Sequence, residues 1–509
     1  MMKSVFRSMS KRLGPNKLAF CRFQSSNPPM SFPCVDQAQE RNRRYEESLQ
    51  QFQTPGNEDP GACITSPSLA SGPEPIYGKI VSGFKKFNYN NVFLCDHGGI
   101  LPKFELAYET WGALNEDRSN AILLHTGLSA SSHAHSHPDN PQPGWWEQFI
   151  GPGKDLDTNK FCVICCNILG SCYGSTGPSS VDPGDGKNYA TRFPIITVND
   201  MVRTQILLLD HLKIDKLHAS IGSSLGGMQS LAFGALAPHR TARIASISGG
   251  ARSHPYSIAL RFTQRQILMN DPQWNRGFYY DDIPPHTGMK LSREVATISY
   301  RSGPEWEQRF STRRANPAVP PAMCPDFLIE TYLDHAGEKF CLQYDPNSLL
   351  YISKAMDMHD MTASNQKILA ENRKKNQHKL EKYLAENPDV SQEDVIKANS
   401  NSVVLPDTPI EEISNEDRVP EPDVDSDLTA GLVPLRNIPT MIMGVESDNL
   451  MPVACQRETA RCLEKAGNDK VVYHELNADE SFYGHDTFLI YRKNFNLVGS
   501  KLKNFLEQS

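Results

Sequence analysis

A glycine-flanked serine constrains this chain more than any other feature of its sequence. The segment Gly222-Ser223-Ser224-Leu225-Gly226 has the form G-x-S-x-G. It follows an apolar stretch at 217–221 and precedes small, helix-compatible residues at 227–236. Glycine at both flanks allows a tight turn between a strand and a helix, and such a turn lifts the serine hydroxyl out of the backbone. The pattern therefore predicts a nucleophilic serine at position 224.

A serine nucleophile needs a base, and the base needs an acid that orients it. In α/β-hydrolase folds the three follow in the order Ser, Asp or Glu, His, each just past the carboxyl end of a strand. Asp448 lies three residues beyond the apolar run 438–445, and His485 lies in a loop before the last predicted helix. We therefore expect Ser224, Asp448 and His485 to form a catalytic triad. The N–H groups of Leu225 and Leu128 are the expected oxyanion donors.

The hydrophobic pattern around Ser224 alternates between strand-like runs and helical spacing. Such alternation predicts a mainly parallel central sheet with helices on both faces, which is an α/β-hydrolase fold. The predicted strands lie at 104–111, 121–124, 161–166, 217–221, 243–248, 438–445 and 471–476. The predicted helices lie at 198–212, 227–236, 453–466 and 488–506.

Composition divides the chain into a leader, a linker, a core in two parts, a lid and an insert. The leader carries six basic side chains and no acid, which is typical of a mitochondrial transit peptide, although a disordered basic tail is the alternative. Nine acids and one base at 401–430 favour an acidic disordered insert. The expected boundaries are 1–30 (transit peptide), 31–75 (linker), 76–251 and 433–509 (core), 252–360 (inserted helical lid) and 361–432 (insert).

Charge and hydropathy exclude some classes of protein. A net charge of -7 argues against a nucleic-acid partner. The sequence contains no run of 18 apolar residues, so no membrane-spanning helix is expected. The twelve cysteines do not form a disulfide framework. Cys162 and Cys165 could be a redox pair, but a strand places residues three apart on opposite faces. We expect them to be buried, reduced thiols in a mitochondrial matrix protein.

Three alternating histidines raise the question of a metal site. His133, His135 and His137 could place ligands on one face of an extended segment, yet only Asp139 stands nearby as an acid. A polar loop that lines the pocket is the favoured interpretation, and no metal is predicted.

Several longer runs, in collinear order, match a known family. The chain resembles the homoserine and serine O-acyltransferases of the α/β-hydrolase type over roughly 80–360 and 432–509. The matching runs lie at 107–112 (AYETWG), 143–147 (PGWWE), 150–154 (IGPGK), 174–180 (GSTGPSS), 221–229 (IGSSLGGMQ), 299–302 (SYRS) and 484–488 (GHDTF).

The resemblance implies a ping-pong acyl transfer from an acyl-coenzyme A through an acyl-Ser224 intermediate. It also implies that Arg293 on the lid binds the carboxylate of the acceptor and that Asp486 binds its amino group, a pairing that suits a zwitterion. No cofactor is expected besides acyl-CoA as a substrate. The partners are small molecules and a second copy of the chain, which would dimerise through the lid.

Departures from the common homoserine pattern bear on the substrates. The common pattern has His-Ala-Leu where this chain has Thr126-Gly127-Leu128, and Gly-Gly-Cys where it has Gly170-Ser171-Cys172. Both changes resemble the serine-using branch of the family. They favour L-serine as the acceptor, in cysteine biosynthesis. Leu450 stands where succinyl-using relatives can place an arginine, so acetyl-CoA is favoured and succinyl-CoA stays possible. The alternatives are an L-homoserine O-acetyltransferase of methionine biosynthesis, an esterase on the same fold, and a scaffold that binds partners through its acidic insert.

Overall fold

An eight-stranded sheet organises the molecule in the computed structural model of the chain. The structure describes residues 81–388, 423–491 and 496–508, together with 32, 35–36, 39–40 and 43–44. The expected transit peptide lies outside the described residues, and so does almost all of the expected linker up to residue 75. Among the described helices, none combines the length and the apolar character that crossing a membrane would require.

The strands of the described region alternate with helices as the hydrophobic pattern predicts. The strands are β1 Lys85–Tyr89, β2 Phe93–Leu94, β3 Ile100–Leu101, β4 Phe104–Trp111, β5 Ala121–His125, β6 Ile150–Gly151, β7 Leu156–Asp157, β8 Cys162–Cys166, β9 Ala219–Ser223, β10 Ile244–Ile247, β11 Thr440–Val445 and β12 Val471–Leu476. The α-helices are α1 Val198–His211, α2 Leu225–Leu236, α3 Pro255–Met269, α4 His286–Tyr300, α5 Gly303–Arg309, α6 Leu328–Cys341, α7 Pro346–Asp357, α8 Ala363–Glu386, α9 Val424–Gly431, α10 Val453–Lys465 and α11 Leu497–Glu507.

The main sheet is parallel except at one edge. Its strand order is β1-β4-β8-β5-β9-β10-β11-β12, and the strands from β8 to β12 pair in parallel. Strands β1 and β4 add antiparallel pairs at the β8 edge. Parallel neighbours present their carboxyl ends at the same side of the sheet, where loops collect functional side chains. The prediction of an α/β-hydrolase fold is confirmed.

Both faces of the sheet are buried, which explains why its central strands are mostly apolar. Leu123 of β5 packs into the core on one face, whereas Ile122 and Leu124 pack into the core on the other. Strand β8 divides in the same way, so that Cys162 and Cys165 belong to opposite cores. The described cysteines are all free thiols, and the predicted separation of these two is confirmed.

Helices α3 to α7 form the lid between β10 and the second part of the core. Helix α4 packs against both α3 and α6. Pro255, Gly303 and Pro346 open three of these helices near an N-cap side chain, and Asp345 accepts from the Ser348 N–H at 2.7 Å. Helix starts of this kind are stabilised by their caps. Five α-helices thus occupy most of the range 252–360, in which the helical lid is expected.

The expectation that 361–432 is a disordered insert is wrong for its first part. Residues 363–386 form the 24-residue helix α8, which Thr362 caps by accepting from the Asn365 N–H. Its mean composition is strongly polar, but four side chains at helical spacing are buried: Gln366, Leu369, Arg373 and Leu380. One narrow stripe is enough to hold a charged helix on a core. Residues 389–422 lie outside the described region, and 424–431 form α9.

A buried ion network anchors helix α8. The Arg373 Nη1 atom donates to the Leu94 carbonyl at 2.5 Å and lies 3.5 Å from Asp96 and 3.8 Å from Asp200. Arg203 of α1 donates to the same two carboxylates at 2.6 and 3.1 Å. Burial opposes ionisation, yet Arg203 and Arg373 hold the pKa of Asp96 below its ordinary value. Removing one partner of such a network would leave an uncompensated buried charge.

The last predicted helix is shorter than the pattern suggested. Helicity was expected over 488–506, but α11 begins at Leu497. The residues 484–489 instead form a short 3-10 turn that ends at the extended residue Ile490. His485 therefore lies in a 3-10 turn that precedes the last helix.

Candidate active site

Ser224 sits at the sharp turn between β9 and α2. Its backbone has φ 58° and ψ -124°, in a region that side chains other than glycine rarely adopt. The Ser224 N–H donates to the Ile247 carbonyl at 2.9 Å, which ties the turn to strand β10. The tight turn expected from the G-x-S-x-G pattern is present, and backbone strain of the kind seen at Ser224 is typical of functional sites.

The two glycines of the pattern are required by close backbone contacts. A Cβ atom on Gly222 would lie 2.1 Å from the Gly226 carbonyl, and one on Gly226 would lie 2.4 Å from the His125 carbonyl oxygen. Both distances are far inside van der Waals contact. Strand β5 and the start of α2 can therefore approach only because position 226 has no side chain.

Asp448 and His485 meet across a gap of 37 residues. The His485 Nδ1 atom lies 2.6 Å from the Asp448 Oδ2 atom. The other carboxylate oxygen accepts from the N–H groups of Leu450 and Met451 at 2.9 and 2.8 Å. A carboxylate only accepts, so Nδ1 carries the proton and Nε2 of the neutral ring is left as the base. Among the described residues, no group forms a hydrogen bond with the buried Nε2 atom.

The electrostatics of His485 combine two opposed effects. Burial disfavours the charged ring, but the Asp448 carboxylate outweighs it and raises the pKa of His485 above its ordinary value. Gly484 precedes the ring with φ 61°, and a Cβ there would lie 2.8 Å from the Tyr300 carbonyl at the end of α4. The lid thus packs directly on the turn that carries the histidine.

The expected oxyanion donors lie in two neighbouring segments. Leu225 is the first residue of α2, so its N–H has no partner within the helix. Leu128 lies in the loop that follows β5, and its N–H forms no hydrogen bond within the described part of the chain. The contact between Gly226 and the end of β5 brings the two segments together. Both N–H groups are available to stabilise an oxyanion.

Arg293 projects from the lid helix α4 into an aromatic environment. Its guanidinium carbon lies 4.4 Å from the centre of the Phe340 ring and 5.1 Å from that of Tyr300. Its Nη2 atom donates to the Tyr300 hydroxyl at 3.2 Å. No close ion pair joins it to a carboxylate of the described region, although its charge does act on Asp486, so its guanidinium can bind an anion from outside.

Asp486 has a cationic neighbour on the lid, Arg301, to which no local sequence pattern pointed. The Arg301 Nη2 atom lies 3.5 Å from the Asp486 Oδ2 atom. Burial raises the pKa of Asp486, and the charges of Arg301, His485 and Arg293 oppose that rise. Arg301 belongs to the run SYRS at 299–302, but only the folded chain reveals that it faces a residue 185 positions away.

Two of the three alternating histidines contact an acid on strand β4 and not one in their own loop. Glu109 accepts at 2.7 Å from both His133 Nδ1 and His137 Nε2, whereas His135 lies 3.1 Å from Glu147. Asp139, the acid that the sequence offered, is not part of this cluster. The three ligand atoms lie within 4.8 Å of one another. Separations of 2.7 Å fit hydrogen bonds, so the cluster holds the loop after β5 on the sheet.

The arrangement brings acid–base chemistry and charge recognition to one edge of the sheet. Ser224, Asp448 and His485 follow β9, β11 and β12 at the carboxyl side. Beside them lie one cation from the lid, Arg293, and one anion from the turn that carries His485, Asp486. Such a site can form a covalent acyl intermediate and bind a zwitterionic acceptor.

Comparisons with known proteins agree with this chemistry. A family model described as alpha/beta hydrolase fold matches residues 120–395. The serine O-succinyltransferase of Schizosaccharomyces pombe is 78% identical over 506 residues, which cover 99% of this chain and 100% of that relative. The serine O-succinyltransferases of Emericella nidulans and of Xanthomonas euvesicatoria are 54% and 36% identical, over 95% and 82% of this chain and 89% and 95% of their own lengths.

Solved structures share the fold at low sequence identity. The homoserine O-acetyltransferase of Bacillus anthracis superposes with a TM-score of 0.63 at 22% identity, over 84% of this chain and 98% of that one. An acetylester hydrolase of Corynebacterium glutamicum has a TM-score of 0.59 at 20% identity, over 84% and 96%. Transferases and hydrolases therefore share this architecture, and the choice between them depends on the site.

Proposed function

The chain belongs to the serine O-succinyltransferase family of α/β-hydrolase-fold O-acyltransferases, and from that premise we propose that it transfers a succinyl group from succinyl-CoA to the hydroxyl of L-serine. The observation that carries the proposal is the hydrogen bond between His485 and Asp448, at the same sheet edge as the strained Ser224 turn. The product, an O-acylserine, has a leaving group that a sulfur nucleophile can displace, which suits cysteine biosynthesis.

In the first half-reaction, the Ser224 hydroxyl attacks the thioester carbonyl. His485 Nε2 takes the serine proton, and the Asp448 carboxylate stabilises the imidazolium that forms. The Leu128 and Leu225 N–H groups stabilise the oxyanion. Collapse of the tetrahedral intermediate breaks the carbon–sulfur bond, and His485 returns the proton to the coenzyme A thiolate. The enzyme is left as an acyl-serine.

In the second half-reaction, an amino acid takes the place of coenzyme A. Arg293 binds its carboxylate and Asp486 binds its ammonium group, so that its hydroxyl lies near the acyl-serine. His485 removes the hydroxyl proton, the ester exchanges through a second tetrahedral intermediate, and Ser224 recovers its proton. Water can also attack an acyl-serine, so the charges of Arg293 and Asp486 are what favour transfer over hydrolysis.

The choice between acetyl-CoA and succinyl-CoA as the acyl donor is the more specific part of the proposal. Leu450 offers no charge to a succinyl carboxylate, and this residue favoured acetyl-CoA in the sequence analysis. The relatives in Schizosaccharomyces pombe, Emericella nidulans and Xanthomonas euvesicatoria are all named serine O-succinyltransferases. At 78% identity over nearly the whole chain, we give that likeness more weight than a single position.

A crossed assay tests the proposal. Purified full-length protein is given acetyl-CoA or succinyl-CoA with L-serine, L-homoserine or water, and coenzyme A release and the acylated product are measured. We expect the highest kcat/KM for succinyl-CoA with L-serine. A preference for homoserine supports the O-acetyltransferase alternative, and coenzyme A release that no acceptor accelerates supports an esterase. Ser224→Ala should form no acyl-enzyme detectable by intact-protein mass spectrometry, and an acyl adduct in that variant would contradict the assigned nucleophile.

We propose that the protein works as a homodimer that forms through its lid. Four large apolar side chains on α3 and α4 are exposed by 42–53%: Tyr256, Phe262, Leu291 and Ile298. Exposed apolar side chains grouped on two packed helices suit a contact between copies. Light scattering should give a dimer mass for the wild type and a monomer mass for Phe262→Glu combined with Ile298→Glu. A dimer in that double variant would place the interface elsewhere.

We further propose that the protein acts in the mitochondrial matrix without a bound cofactor. The basic, acid-free leader supports the location, and acyl transfer by a triad and two N–H donors needs no other group. A fluorescent fusion should colocalise with a matrix marker, and deletion of residues 1–30 should leave it in the cytosol.

Dialysis against a chelator should leave kcat unchanged, whereas a loss restored by a metal would contradict the absence of a cofactor.

A further inference from the structure

The loop that carries Leu128 is held from both sides by buried polar side chains outside the triad. On the core side, the Gln229 Nε2 atom donates to the Thr126 carbonyl at 2.9 Å. On the lid side, the Tyr344 hydroxyl donates to the Leu128 carbonyl at 2.8 Å. These hydrogen bonds fix the loop two residues before Leu128 and at Leu128 itself.

Gln229 contacts both segments that supply the expected oxyanion donors. It lies one turn after Leu225 on α2, has no exposed surface, and its Nε2 atom also lies 3.4 Å from the Leu225 carbonyl. The Oε1 atom accepts from Gln205 Nε2 at 2.7 Å, which fixes the orientation of the amide. Both neighbours of Nε2 are carbonyl oxygens, so the NH₂ group must face them. One side chain thereby links the backbone at Thr126, two residues before Leu128, to the backbone at Leu225.

Tyr344 connects the same loop to the lid. It follows helix α6, its ring is fully buried, and it stacks on Phe340 with ring centres 5.6 Å apart at 15°. Burial raises the pKa of the Tyr344 hydroxyl well above its ordinary value, so the group keeps its proton and can donate at any working pH. Phe340 also lies against Arg293, so the tyrosine and the acceptor-binding cation share one packed unit of the lid.

Gly127, between the two hydrogen-bonded residues of the loop, has little packing of its own. A Cβ atom placed on Gly127 would meet only the Ser223 carbonyl, at 4.0 Å. Glycine also permits many backbone conformations. An oxyanion hole is effective only when its donors are already in position as charge develops. Side-chain hydrogen bonds from a rigid helix and from the lid can supply the order that Gly127 lacks.

We propose that Gln229 and Tyr344 are positioning residues that hold the Leu128 and Leu225 N–H groups in place for the oxyanion, and that Tyr344 makes this order depend on the packing of the lid. The inference rests on the proposed acyl-serine mechanism. Because both half-reactions pass through an oxyanion, loss of either side chain slows acylation and deacylation together. Binding of the acyl-CoA and of L-serine is left unchanged, since neither side chain is assigned to a substrate.

The lid side is tested with Tyr344→Phe, which keeps the ring and removes the hydroxyl. The matched control is Tyr351→Phe, which also removes a buried tyrosine bond to a backbone carbonyl, that of Thr191 at 3.1 Å, away from Leu128. We expect kcat of Tyr344→Phe to fall at least about tenfold with both KM values within about twofold of wild type, since a misplaced donor loses part of the oxyanion stabilisation. The control should retain wild-type kcat. Equal rates in the two variants would overturn the inference.

The core side is tested with Gln229→Met, which keeps the size of the side chain and removes the amide. Its control is Gln456→Met, because Gln456 donates in the same way to the Gly249 carbonyl at 2.7 Å. Thermal unfolding of Gln229→Met and Gln456→Met shows whether each variant folds. If Gln229→Met does not fold, Tyr344→Phe still tests the inference independently. A kcat loss at 229 but not at 456 supports the inference, and a loss confined to KM contradicts it. A wild-type enzyme that forms no acyl-serine would instead refute the proposed function.

Discussion

At the scale of single residues, the balance of burial and charge at His485 sets a pH limit on activity. The group is a base only when neutral, and its pKa is raised above the ordinary 6.5 because Asp448 outweighs burial. We therefore expect kcat/KM to fall as the pH drops through an apparent pKa higher than that value. The pH–rate profile of the wild type measures it. An acidic limb centred below 6.5 would contradict the stated balance.

Arg301 gives a second prediction at this scale. It is the cation nearest to Asp486, whose carboxyl already tends to protonate because of burial. Arg301→Gln should neutralise more of Asp486 and raise the KM for L-serine by about tenfold, roughly the loss of one charge-assisted contact, while acylation by the donor stays unchanged. Arg309→Gln is the matched control, since Arg309 shares the Glu305 partner but is not paired with Asp486. Equal KM values in the two variants would exclude this role.

The sequence predicted the residues that belong to local patterns and missed those that depend on distant contacts. Ser224 was found from its glycines, and Asp448 and His485 from their order after predicted strands. Arg301, Glu109 and the pair Gln229 and Tyr344 were not assigned, because each acts on a segment remote in sequence. Periodicity describes which face of an element is buried, but not which polar side chains meet there.

At the scale of elements, helix α8 shows where composition misleads. Its charged surface predicted disorder, but Arg373 binds two buried carboxylates and the Leu94 carbonyl. Arg373→Met should lower the free energy of unfolding by about 3 to 5 kcal/mol, because Asp96 and Asp200 would lose a buried partner. The control is Lys374→Met at the exposed neighbouring residue, which should lower the free energy of unfolding by less than about 0.5 kcal/mol. Urea denaturation compares them, and equal stabilities would show that the network does not anchor the helix.

The strands and the elbow were predictable for a physical reason. Strands β4 and β12 were predicted with the bounds that they have, because a short run of apolar and alternating residues between turn residues indicates a strand, whether it lies inside the sheet or at its edge. The end of the chain was less predictable. The turn around His485 is shaped by Gly484 against the Tyr300 carbonyl, a contact with the lid that no local pattern reveals.

At the scale of the whole molecule, buried neutral histidines make stability depend on pH. Burial lowers the pKa of His359 to about 4 and that of His125 to about 3. The unfolded chain binds these protons near 6.5, so stability is present above that pH and is lost as the pH falls toward the folded values. Between about pH 7 and pH 5, His359 alone should account for a loss of about 2 kcal/mol.

The variant His359→Gln tests this at the same scale. Glutamine does not titrate and its amide can still donate to the Gly250 carbonyl, which His359 contacts at 3.1 Å. The free energy of unfolding of the variant should fall less between the two pH values than that of the wild type, by about 2 kcal/mol. The exposed change His378→Gln serves as the control. Parallel pH profiles in wild type and His359→Gln would mean that this histidine does not carry the acid sensitivity.

The strand order has a consequence for how the protein is made. Strand β10 pairs with β11, which begins nearly two hundred residues later, after the lid and helix α8. At ribosomal rates of about 5–20 residues per second, the β10 edge therefore waits on the order of 10–40 s for its neighbour. An apolar parallel edge that is open for so long invites pairing with other chains. Nascent chains stopped before residue 440 should bind chaperones and resist compaction, whereas chains released after β12 should not.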